Sequence, residues 1–183
     1  MLNMDSEYNN YKSWYVNILE KLYPDRAAGI SILMIAFPLL ERYLRQTTKL
    51  NPKDALNSQC MEELRKLFPA LSDEKTAWNF WNVYRNGILH QAALSVENRK
   101  GSPMPTGWMS HDIGSSVTVE ADGSFWVHPV LFSQQVIQVI ERNFGVFKGK
   151  LTSAPSLPTV VAHVAPAYNG NIPPVYLGTR SGP

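Results

Sequence analysis

The sequence predicts a mainly α-helical domain carrying one small β-hairpin and followed by a Pro-rich C-terminal tail. Three observations carry this. Apolar residues recur at spacings of three and four through most of the first 94 residues and again after Pro129. Two short β-rich runs flank a Gly-containing turn between Val117 and Val127. Six of the 13 prolines fall in 151–183, where Arg180 is the single charge. The expected division is a helical domain over 1–150, with the hairpin at about 117–127, and a tail over 151–183.

The elements follow in order. Tyr11, Trp14, Tyr15, Ile18, Leu19 and Leu22 share one face of a helix over 8–22, which Pro24-Asp25 ends. Ala27 to Thr47 is apolar almost all round as far as Leu40, the pattern of a central core helix. Pro38 inside it predicts a kink or a split into two. Its second half, Glu41-Arg42-Tyr43-Leu44-Arg45, turns polar and runs to the surface. Asn51-Pro52-Lys53-Asp54 reads as a turn into a short helix over 55–67, closed by Pro69. Ser72-Asp73-Glu74 supplies an N-cap and an acidic first turn for a long helix reaching about Leu94. Asn98 to Ser116, with three Gly and two Pro, is a loop. Val117–Glu120 and Ser124–Val127 pair around Ala121-Asp122-Gly123. Pro129 opens the last helix, with Val130, Leu131, Val136, Ile137, Val139 and Ile140 on its buried side. In the tail, Leu157 to Val164 is apolar enough to dock as an extended strand; docking and disorder are equally supported.

Composition excludes several classes. The 183 residues are 44% hydrophobic, 11% aromatic and 17% charged, too apolar for a disordered chain. A net charge of +2 is far from that of a protein that coats nucleic acid. A single cysteine, Cys60, excludes an intramolecular disulfide framework and a thiolate metal cluster. The amino end, MLNMDSEYNN, shows no signal-peptide pattern, and Ala27–Leu40 falls short of the roughly 20 apolar residues a bilayer requires. A cytoplasmic protein without membrane contact is expected, with no cofactor.

The helix from Glu74 has an unusual face. Ala77, Phe80, Trp81, Tyr84 and Ile88 form its core stripe, while Asn79, Asn82, Asn86 and His90 gather opposite. Solvated helix faces usually carry Lys and Glu; this one carries amides and a histidine, with Arg85 at its margin. One explanation is packing against a helix or a second subunit through amide hydrogen bonds. The other is a site. Arg85 and His90 are five apart, about 140° on an ideal helix, so they meet only if the arginine wraps round, the helix is distorted, or a two-fold dimer supplies the second copy.

Tyr84-Arg85-Asn86-Gly87-Ile88-Leu89-His90-Gln91 resembles the signature of the HEPN superfamily: Arg, a polar residue, three more residues, then His, late in a long helix. Phe37-Pro38-Leu39-Leu40-Glu41-Arg42-Tyr43 is similar to the second-helix segment of HEPN-like bacterial proteins. The resemblance covers roughly Tyr8 to Asn143 in element order. It implies an antiparallel helical bundle, usually a homodimer, with Arg85 and His90 lining a cleft. Many members are metal-independent endoribonucleases, often toxins of toxin–antitoxin or phage-defence systems, so RNA and an antitoxin protein are the implied partners. Others have lost activity and bind a protein, a nucleotide or RNA.

The residue types suit that chemistry. RNA carries its own nucleophile, the 2′-OH. His90 titrates near neutrality and can accept that proton or protonate the leaving 5′ oxygen. Arg85 can hold the phosphate through its planar fork, and Asn86 can orient the imidazole or bond the phosphate. Glu41 and Arg42 read either as the exit of a buried helix to solvent or, if the face is a site, with Glu41 pairing with Arg85 and fixing its direction. No metal is needed. One departure from the family stands at Ala92, where members silenced by a nucleotidyltransferase antitoxin commonly carry a tyrosine.

Other clusters read as structural. His111, Asp112, Asp122 and His128 lack a recognised metal-ligand spacing, and exposed loop histidines account for them better. His163 has no sequence partner, Cys60 reads as a packed small residue, and Trp78 and Trp81 read as core or its edge. Phosphate-binding glycine loops and nucleophile elbows are missing from the sequence.

Overall fold

The structure, a computed structural model, describes residues 4–51, 53–88, 94 and 105–147. These lie within one compact unit, Met1–Thr152. The tail expected over 151–183 lies outside the described residues. The fold is mainly α, with a small three-stranded sheet.

The amino-terminal helix comes in three pieces: α1 (Met4–Tyr11), a π-helical turn (Lys12–Val16) and α2 (Asn17–Leu22). Tyr11, Val16 and Leu19 are buried. Trp14 and Ile18, expected on the same stripe, are instead 45% and 43% exposed. The π turn explains this, because its i→i+5 bond inserts an extra residue and rotates the side chains off the 3.6-residue period.

Asp25 caps a 3₁₀ turn (Arg26–Ala28), its Oδ1 accepting from Ala27 N at 2.8 Å, and leads into α3 (Gly29–Thr47). This is the core helix. Pro38 does not split it. Pro38 and Met34, whose carbonyl loses its helical partner, both face solvent, where that oxygen need not be buried unpaired. The helix ends with Leu50 N donating to Arg45 O at 2.9 Å and Lys49 at φ 55°, a left-handed C-terminal closure. With its preceding turn, Arg26–Thr47 is longer than the Ala27–Leu40 run and becomes apolar and long enough to cross a bilayer. In this fold, however, 56% of its most apolar window is buried inside the protein.

The next helix, α4 (Ser58–Leu67), starts later than residue 55 because Asn57 caps it, Oδ1 accepting from Cys60 N at 3.1 Å. Asp73 caps α5 (Glu74–Trp81), accepting from Thr76 N at 2.8 Å. A second π turn, Asn82–Asn86, follows, and helical backbone continues to residue 88.

Strands β1 (Gly107–Met109), β2 (Val117–Val119) and β3 (Phe125–Val127) are ordered β1-β3-β2. The expected hairpin is β2–β3, antiparallel, with Val117 opposite Val127. Its turn closes through Gly123 N to Glu120 O at 2.9 Å, and Gly123 takes φ 82°, which favours glycine. β1 corrects the loop expected over 98–116: it pairs parallel with β3. Three residues are too few for alternation to reveal. Gly107 fits only as glycine, since a Cβ there would stand 2.5 Å from Val83 Cγ1.

The last helix, α6 (Pro129–Arg142), is capped by His128, whose Nδ1 accepts from Leu131 N at 3.3 Å. Its buried stripe centres on Phe132, with Val136, Ile137 and Ile140; Val130, Leu131 and Val139 are only half-buried. Phe37 of α3 joins the helices. Its ring lies 4.7 Å from Phe132, 5.9 Å from Phe80 and 6.0 Å, stacked, from Tyr84. Complete burial of such a ring contributes about 1.5–3 kcal/mol.

Candidate functional site

The site forms where the polar end of α3 meets the π turn after α5. Glu41 and Arg45 are one helical turn apart, and the carboxylate draws in a guanidinium from each element. Glu41 Oε2 accepts from Arg85 Nε at 2.9 Å. Glu41 Oε1 accepts from Arg45 Nε at 3.0 Å and Nη2 at 2.9 Å. Arg45 Nη1 also donates to the carbonyls of Asp54 at 2.8 Å and Asn51 at 3.3 Å, tying the following loop down. The side chains of Glu41 and Arg85 are 16% and 25% exposed, so this pair is largely withdrawn from water. Removing one partner of such a pair strands a charge, which is costlier than losing a surface ion pair.

The network continues along the amide line. Arg85 Nη1 donates to Asn86 Oδ1 at 3.0 Å, and Asn86 Nδ2 donates to Asn82 Oδ1 at 2.8 Å. Two amides of the polar face, Asn82 and Asn86, are thus linked to each other along one helix. The π turn underlies this face: Gly87 N donates to Asn82 O, five residues back.

Beside the network lies a pocket of about 380 Å³ lined by Pro38, Glu41, Arg42, Arg45 and Gln46. Arg42 is half-buried there. Burial lowers its pKa from the ordinary arginine value, while Tyr15 and Glu7 act in the opposite direction.

Of the expected site residues, Glu41, Arg85 and Asn86 come together. His90 lies outside the described residues, as does Ala92, so the Arg85–His90 geometry is not on view. Arg45 joins the site without having been expected as a member, and Asn82, expected on the amide face, is tied to it through Asn86. The Glu41-x-x-x-Arg45 spacing was a readable signal for the first.

Tyr84 is the residue whose part sequence reading missed. Its ring belongs to the core stripe as expected, and is fully buried. Its hydroxyl, however, reaches the sheet: Oη lies 2.7 Å from Trp108 O and 2.9 Å from Phe125 O, and accepts from Trp108 N at 3.0 Å. Burial raises its pKa, so it stays protonated. The residue before Arg85 therefore locks the π turn against β1 and β3.

The histidine clusters resolve differently. His111 and His128 meet edge to face at 5.3 Å, Asp112 pairs with Arg26 at 2.6 Å, and Asp122 accepts from Ser124 N in the hairpin turn. His128 is thus a helix cap rather than an exposed loop residue. Among the described residues, no group of three or more His, Cys, Asp or Glu is placed to hold a metal ion. Cys60 is buried, with Sγ 3.4 Å from Thr48 Oγ1. Trp81 is buried in the core, and Trp78 is partly buried at its edge, with Nε1 donating to Glu74 Oε1 at 3.3 Å.

Compared with known protein families, with curated proteins and with solved structures, the chain finds no match.

Proposed function

We propose that the chain is an HEPN-type, metal-independent endoribonuclease: an antiparallel helical bundle that acts as a cytoplasmic homodimer, in a toxin or phage-defence role. The observation that carries this reading is the Glu41–Arg85–Asn86–Asn82 chain of hydrogen bonds, built on a π turn. Motif residues with a purely solvating role have no need of a largely buried carboxylate to aim them. π turns also recur at functional sites. Trp14 and Ile18, one turn apart, and Met34 leave apolar surface available to a second copy.

In this mechanism the 2′ oxygen attacks phosphorus and the bond to the 5′ oxygen breaks. One His90 takes the 2′ proton and the other protonates the leaving oxygen. Arg85 stabilises the extra negative charge on the phosphorane oxygens, Asn86 supports it, and Glu41 is a positioning residue. Products carry a 2′,3′-cyclic phosphate and a 5′-OH.

A module that binds RNA, a nucleotide or a protein without cutting is the second reading. It is favoured by one observation: Arg85 Nε and Nη1 are already engaged inside the protein. Cleavage of labelled RNA in EDTA separates the two. The native protein is expected to cut, with cyclic-phosphate ends, and His90→Ala or Arg85→Ala to lower the rate about a hundredfold or more. Cutting that survives both substitutions removes the nuclease reading; no cutting by the folded native protein selects the binding module.

A further inference from the structure

We propose that the pocket lined by Pro38, Glu41, Arg42, Arg45 and Gln46 is a phosphate-binding site, separate from the Arg85 position, with Arg42 as its principal donor. The wall comes from α3, whose residues 38, 41, 42, 45 and 46 share a face at helical spacing. The arginines around it are not equivalent. Arg45 is spent on Glu41 and two backbone carbonyls, and Arg85 is held by Glu41 and Asn86. Arg42 lines the pocket, and among the described residues it makes no hydrogen bond or ion pair.

A guanidinium in that position has given up part of its water without gaining a protein acceptor, which is why burial lowers its pKa. Glu7 and Tyr15 are the titratable groups that face it from the amino-terminal helix. Neither forms an ion pair or hydrogen bond with it. Among the described residues, Glu41 already pairs with both Arg45 and Arg85, and Glu7 is the carboxylate that acts on Arg42, so three guanidinium groups stand against two carboxylates around the pocket. A planar five-donor fork is matched by an oxyanion that offers two oxygens, and a phosphate group does so. A phosphate diester of a nucleic-acid strand and a free phosphate supply the same chemistry. The choice of the strand rests on the nuclease reading, in which this pocket holds a phosphate near the scissile one. The binding itself does not.

The test uses the full chain. Inorganic phosphate is titrated while the arginine Nε–Hε NMR signals and the melting temperature are followed; a short fluorescent single-stranded RNA is then bound at low salt. The Arg42 signal is expected to shift and the melting temperature to rise with phosphate. Arg42→Gln should abolish the stabilisation, weaken RNA binding about tenfold and reduce the salt dependence by about one phosphate contact. Arg42→Lys, which keeps the charge and loses the fork, should fall between. A shift with RNA but not with free phosphate assigns the site to the strand. Phosphate and RNA binding unchanged in folded Arg42→Gln overturns the proposal. If that variant does not fold, an Arg42 signal unmoved by either ligand in the native protein overturns it equally. An Arg42 shift without RNA cleavage keeps the pocket and discards the nuclease; cleavage with Arg42 silent does the reverse.

Discussion

At the scale of single residues, one phenol oxygen serves three backbone groups. Tyr84 Oη meets Trp108 N and Trp108 O on β1 and Phe125 O on β3. Tyr84→Phe keeps the ring and deletes that oxygen, so buried amide and carbonyl groups lose their partner. The expected cost is about 1–3 kcal/mol, read as a lower urea midpoint at unchanged slope; a variant as stable as the native protein would show the hydroxyl to be idle. Helical periodicity places Tyr84 on the core side but says nothing of what its para position touches, so this clasp was not legible. Glu41 was more so. It stands where a buried helix turns polar, and the resemblance sets Arg85 in the segment packed against it. Its second arginine, Arg45, follows from a four-residue spacing that is plain in the sequence.

At the scale of elements, helix starts were readable where an Asx residue precedes a periodic run, as with Asp73, but α4 was placed early because Asn57 lies inside a polar stretch. The two π turns were not readable, since a 100° wheel presumes that every residue advances equally. The cap of α6 has a consequence for pH. Burial, and secondarily His111, lowers the His128 pKa from its ordinary value of 6.5, while Asp112 acts in the opposite direction. The folded state therefore binds fewer protons than the unfolded chain as pH falls below 6.5. Stability present above that value is lost as pH drops through the folded pKa. Protonation would also remove the Nδ1 lone pair that accepts from Leu131 N. Melting temperatures between roughly pH 7.5 and 5 should fall more steeply for the native protein than for His128→Asn, which caps without titrating. Parallel curves would exclude His128 as the source.

At the scale of the molecule, the predominance of helix was legible from periodicity, and the hairpin from its Gly turn. The third strand was not, because it exists through contacts made elsewhere: Gly107 N donates to Leu94 O, and Tyr84 holds Trp108. Helices and sheet are joined at Phe37, Phe80 and Phe125, so one aromatic cluster spans both. They should therefore unfold together. The sheet carries its own means of checking this. Trp108 and Trp126 stand opposite in the parallel ladder with rings 5.8 Å apart and 25° from coplanar. Two indoles that close couple as excitons, and their split circular-dichroism band reports on β1 and β3 alone while the helical band reports on the rest. Heating should erase both signals at one temperature, and Trp108→Phe should erase only the first, which makes this corner of the fold a built-in optical gauge.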